Sequence, residues 1–196
     1  LSVHFGRVLA EREARLFCQV ETLIFGRAVE RALHPERYIV GTATVGSKLP
    51  PIYEELLSAF GCPVLLMRYE SAELAKISIN VFLAASLSAT NTLAEVCGAV
   101  GADWNEISPT LRLDRRIGPH AYLTPGLGIG GGNIERDLAT VRRISADHGT
   151  EDCVARAFLE HSRYSRDWVL RTLKGQVLWH PSNVVIAIWG LAYKPN

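Results

Sequence analysis

No two of the four cysteines stand close enough together to clamp a metal. Cys18, Cys62, Cys97 and Cys153 are far apart and form no C-x-x-C. The usual zinc spacings are thereby excluded, and the residues read as reduced thiols of a cytoplasmic protein. A dominant charge is missing too: 21 Lys and Arg face 20 Asp and Glu, leaving a net charge of +1. No basic run exceeds the pairs Arg115-Arg116 and Arg142-Arg143, which argues against nucleic acid or an anionic membrane as partner. No apolar run of transmembrane length is expected, and no signal peptide is recognisable. Internal repeats and low-complexity segments are absent as well.

Apolar weight is what the chain does have. Hydrophobic residues make up 48% of its 196 positions, so a packed core in one large or two small domains is expected. The organising stretch is Ser71 to Val100, read as one helix of about 30 residues and roughly 45 Å. It has no proline, and Leu74, Ile77, Val81, Leu87 and Val96 recur at helical spacing. Ser71 is expected as its N-cap, with Glu73 favoured by the helix dipole. Such length suits a spine that joins domains or packs against a copy of itself. Lys76 and Asn80, one turn apart, share a face. A lysine among apolar neighbours serves as base or electrostatic clamp, and the asparagine orients a hydroxyl or a water. The plainer reading is an exposed lysine and a helix-face asparagine.

The remaining elements suggest α/β structure at the N-terminal end, then mostly helix. Val8 to Val20 reads as helix passing into a short strand, and Glu21 to Ala32 is ambiguous. His34 to Arg37 is a turn, Tyr38 to Gly41 a strand, Ser47 to Phe60 a helix and Pro63 to Met67 a buried strand. This alternation is the α/β signature. Beyond the spine, Ala102 to Leu113 and Ile134 to His148 read as helices, separated by a loop rich in glycine and proline. Glu151 to Lys174 reads as one further long helix. Val184 to Gly190 reads as an apolar strand, of the kind that opens a nucleotide-binding domain. The limits at Leu1 and Asn196 suggest one piece of a longer enzyme.

The loop contains a literal GxGxxG, Gly126 to Gly131. A dinucleotide fingerprint needs a buried strand directly before it and an acidic residue about 20 positions on. Residues 119–125 read as loop instead. Bare amides beside a helix N-terminus suit an anion or a carbonyl oxygen. A flexible surface loop is the alternative.

Several stretches together resemble the UDP-glucose/GDP-mannose dehydrogenase family, NAD-dependent enzymes that oxidise C6 of a nucleotide sugar to a carboxylate. Ser71-Ala-Glu-Leu-Ala-Lys-Ile-Ser-Ile-Asn-Val-Phe-Leu-Ala84, with Asn91 further on, is similar to the central-helix motif. Asp114-Arg-Arg-Ile-Gly118 resembles D-x-R-I-G, and Pro125 to Asp137 resembles the active-site loop P-G-x-G-x-G-G-x-C-x-P-K-D. His34 to Gly41 and Gly190 to Asn196 match two more family stretches. The resemblance implies three parts. Residues 1–70 would be the tail of the NAD-binding domain, 71–175 a central helical dimerisation and substrate domain, and 176–196 the start of a third, Rossmann-like domain. It also implies roles. Lys76, Asn80, Asp137 and Glu21 would form the catalytic set. Leu23, Thr124, Gly126, Gly128, Gly130 and Lys194 would line the substrate, and Arg116 would reach it across a homodimer. NAD would be bound by a domain mostly outside this chain.

Departures from the pattern bear on the chemistry. The family's nucleophilic cysteine falls on Asn133, and an amide forms no thiohemiacetal. Gly132, Glu135 and Arg136 replace Ser or Pro, Pro and Lys. In Val20-Glu-Thr-Leu-Ile-Phe-Gly-Arg-Ala28, similar to P-E-F-L-x-E-G-x-A, Glu21 is kept but Phe25 stands for the second glutamate. Asn133 is expected to serve as N-cap of the following helix. Three functions stay open: a full dehydrogenase, a catalytically dead binding and dimerisation module, or a single-step alcohol dehydrogenase without a covalent intermediate.

Overall fold

The computed structural model describes residues 14–24, 26–179 and 184–190. The helical half of the Val8 to Val20 reading falls mainly outside these residues. The chain divides into two compact units, residues 1–78 and 79–196.

The first unit holds a three-stranded sheet in the order β1-β2-β3, with β1 Cys18–Gln19, β2 Tyr38–Thr42 and β3 Val64–Arg68. β1 runs antiparallel and β3 parallel to β2, with Val40 opposite Leu66. The short helix α1, Ala28–Leu33, lies in the ambiguous stretch. Helix α2, Pro51–Ser58, carries the crossover and starts on Pro51, where a missing N–H costs nothing. Val40, Leu49 and Leu57 form the core, with Phe17 and Tyr53 packed on it. β3 was expected to be buried, yet Leu65 and Leu66 are 43% and 44% exposed. Its outer edge pairs with no strand among the described residues, so those side chains find no cover.

The spine, α3, spans Tyr69–Val100 and continues from the first unit into the second. It starts two residues before the expected cap, so Ser71 lies inside it and exposed. Tyr69 follows β3 directly and is anchored by its hydroxyl, which donates to the Leu16 carbonyl at 2.6 Å. Gly41 permits this close start: a Cβ there would lie 3.0 Å from the Ala72 Cβ. By length and composition α3 reaches what crossing a membrane requires, contrary to the expectation from sequence. Asn80 and Thr90 on it are buried and hydrogen-bonded to Asp137 and to the Tyr122 carbonyl.

The second unit packs helices against α3. They are α4 Trp104–Leu113, α5 Gly132–His148, α6 Cys153–Arg166 and α7 Trp168–Gln176. Ala84, Ile129, Leu138 and Ala155 centre one core cluster, and Cys97, Trp104 and Leu123 another. The single helix expected over 151–174 is two. Arg171 Nη1 donates to the Tyr164 carbonyl at 2.6 Å. That carbonyl is the acceptor a continuous helix would offer to Trp168, so the ladder stops and restarts at Asp167. Residues 184–190 form no strand, because a strand exists only by pairing and nothing described pairs with them. Val185 and Trp189 are there fully or nearly fully exposed.

Candidate active site

Two sequence-predicted residues meet at the centre of the second unit. Asn80 Nδ2 donates to Asp137 Oδ2 at 2.6 Å, across 57 positions of chain, and both residues are buried. With Nδ2 committed to the carboxylate, Asn80 Oδ1 is left as an acceptor. Arg136 Nε lies 3.5 Å from the other carboxylate oxygen of Asp137. Lys76, half-buried, stands one turn before Asn80 on α3.

The glycine loop beside this pair is held from several helices, which removes the flexible-loop reading. From α3, Ser86 and Thr90 hydroxyls donate to the Tyr122 carbonyl at 3.1 and 2.8 Å. From α4, Trp104 Nε1 donates to the Leu123 carbonyl at 2.9 Å. Asn91 Oδ1 accepts from the Gly126 amide at 2.8 Å, and Ser162 Oγ on α6 accepts from the Ile129 amide at 3.0 Å. Gly128 has φ +81°, and a Cβ there would lie 2.6 Å from the Ser162 carbonyl oxygen. Gly128 thus brings its backbone close against the protein's own helix α6. Thr124, Gly126 and Gly130 are exposed on this fixed loop.

Asn133 is not the N-cap. Gly131 takes that position with φ 78°, no side chain caps the helix, and Asn133 is its second residue, exposed. Glycine reaches a positive φ without a Cβ penalty, so the chain enters α5 two residues early. Asn133 and Asp137 lie four apart on α5 and share a face.

The other predicted residues take separate places. Glu21 Oε1 accepts from its neighbours' amides, Thr22 at 2.7 Å and Leu23 at 2.8 Å. Glu21 and Leu23 line a cavity of about 120 Å³ within the first unit. Arg116 is engaged by Asp114, with Nη2 to Oδ2 at 2.6 Å, and its side chain is 88% exposed. The guanidinium holds the Asp114 carboxyl below its ordinary range. Lys194 lies outside the described residues. Ser162, Ser86, Thr90 and Trp104 were missed. For Ser162 and Thr90 the only trace in the sequence is a small polar residue at a core position of an otherwise periodic helix.

Cys97 does not take the place of Asn133. Cys97 is 17 residues beyond Asn80 on α3, about 25 Å at helical rise. The Cys153 thiol is pushed up by its hydrogen bond to Glu151, and burial pushes up Cys18. Among the described residues no group of His, Cys, Asp and Glu suits a metal ion. The GxGxxG itself follows loop, with no strand directly before it, and is tied to α3 and α6.

Residues 70–163 match the UDP-glucose/GDP-mannose dehydrogenase family, central domain. The chain belongs to this family. It is 33% identical over 179 residues to UDP-glucose 6-dehydrogenase TuaD of Bacillus subtilis, covering 90% of this chain and 37% of the relative. It is 31% identical over 194 residues to UDP-glucose 6-dehydrogenase of Pseudomonas aeruginosa, covering 96% and 42%. Its fold is similar to a UDP-glucose dehydrogenase from Pyrobaculum islandicum, with TM-score 0.75 and 28% identity over 88% of this chain and 40% of that one. A UDP-D-ManNAc dehydrogenase from Pyrococcus horikoshii shares the fold, with TM-score 0.69 and 17% identity over 89% and 42%. The chain thus spans about two fifths of the length of these dehydrogenase relatives.

Proposed function

We propose that this chain is the core of an NAD-dependent nucleotide-sugar dehydrogenase acting at C6 of a UDP-glucose-like substrate. The buried Asn80–Asp137 bond beside a fixed, glycine-rich amide loop carries the reading. In it, Asn80 Oδ1 accepts from the C6 hydroxyl and orients it, and the Lys76 amine takes up its proton. Thr124, Gly126, Gly128 and Gly130 of the loop line the sugar, and Arg116, Glu21, Leu23 and Lys194 add substrate contacts. NAD supplies the hydride acceptor and is assigned to a domain that residues 1–70 would complete. Residues 71–175 would be the central domain, and 176–196 the start of the third. With Asn133 in place of a thiol, oxidation stops after one two-electron step. The family's biosynthetic chemistry and the thiol usage fit the cytoplasm.

The test is NADH formation by the full-length protein with UDP-glucose, absent without the sugar. The second reading, a binding module without turnover, is favoured by Asn133 alone. UDP-glucose binding with no NADH formed would establish it.

Homodimerisation through α3 belongs to the same proposal. Only 22% of the most apolar stretch of α3 is buried by this chain. Phe82 is 78% exposed on it, and Val96 and Val100 are exposed too. Phe82→Asp is expected to weaken the dimer at least tenfold without unfolding the chain, since it would bury an unpaired charge only in the assembly. Light scattering of the two proteins across concentration reads this directly. Equal dimer content in both would remove α3 from the interface.

A further inference from the structure

Ser162 is 1% exposed, where a hydroxyl is present at a cost unless it is bonded. It makes two bonds, and they reach both flanks of position 133. Its oxygen accepts from the Ile129 amide at 3.0 Å, four residues before Asn133. Its proton is directed to Glu135 Oε1 at 3.4 Å, two residues after. Glu135 is held in turn by Arg166 Nη2 at 2.8 Å, one turn beyond Ser162 on α6. The Ser162 carbonyl also occupies the space a Gly128 side chain would need. Apolar packing of Ile129 and Leu138 is non-directional and does not by itself fix the loop's register there. The hydroxyl bonds set its register.

We propose that Ser162 is a positioning residue, one hydroxyl that fixes the strip Gly128–Glu135 and thereby the backbone facing the sugar. The proposal rests on the nucleotide-sugar site above. It is tested by amide hydrogen exchange and by calorimetry with UDP-glucose on the full-length protein. Ser162→Ala leaves the Ile129 amide unpaired, so its exchange should rise about tenfold while amides of α3 stay unchanged, and the UDP-glucose Kd should rise about tenfold. Glu135→Gln keeps an acceptor oxygen and should retain the wild-type Kd. Glu135→Ala should reproduce part of the Ser162→Ala effect, and it remains informative if Ser162→Ala does not fold. Uniform acceleration of exchange with an unchanged Kd would make Ser162 merely structural and overturn the proposal. Wild-type behaviour of Glu135→Ala would overturn the two-flank clamp. Failure of the wild-type protein to bind UDP-glucose would refute the proposed function instead, and the exchange comparison would still decide whether Ser162 fixes the strip.

Discussion

Asp137→Ala is expected to reduce turnover of UDP-glucose by about two orders of magnitude or more. Removing the carboxylate leaves Asn80 Nδ2, now bonded at 2.6 Å, buried without an acceptor. The amide then rotates to seek other partners, and Oδ1 no longer faces the substrate in one orientation. The unsatisfied donor costs roughly 1–3 kcal/mol, so the protein should stay folded but melt lower. Steady-state kinetics and a thermal melt on the same sample separate the two effects. A variant with near wild-type kcat would show that the pair only stabilises the core. Asn80→Ala should lose turnover in parallel, and the double variant should lose little beyond either single one, because the two act as a unit.

Gly128→Ala carries the largest expected effect on stability. At φ +81° an alanine is strained by about 1–2 kcal/mol, and its Cβ would stand 2.6 Å from the Ser162 carbonyl oxygen. That oxygen is backbone of α6 and cannot swing aside. Strain and overpacking together should cost about 3 kcal/mol, or about 10 °C in Tm. Gly126 is the internal control. A Cβ at Gly126 meets nothing within 4 Å, and its φ is not in the left-handed region. Gly126→Ala should therefore stay within about 0.5 kcal/mol of wild type. Equal melts for the two variants would contradict the assigned contact between the loop and α6.

Periodicity made the local part of this fold legible. The apolar spacing of residues 71–100 announces α3, and the four-residue step from Lys76 to Asn80 places them on one face. The lack of a strand before Gly126 correctly sets the glycine run apart from a dinucleotide fingerprint. What stayed hidden depends on partners distant in sequence. Nothing near Gly128 in the sequence announces its contact with Ser162 on α6. The break at Asp167 comes from Arg171 taking the Tyr164 carbonyl, a competition no hydrophobic pattern encodes. The misplaced cap at Asn133 has a similar origin. Gly131 can turn left-handed, so the helix began before its best capping side chain. Val184 to Gly190 has strand composition, but composition does not supply a neighbouring strand.

The proposed nucleotide-sugar oxidation halts after one step for want of a thiol at position 133. Its most direct test is to count NADH formed per UDP-glucose consumed by the full-length protein, with the sugar product identified by mass spectrometry. One NADH per sugar and an aldehyde product are expected, and Asn133→Cys should retain a covalent adduct with that aldehyde. Two NADH per sugar with uronic acid from the wild-type protein would contradict the account.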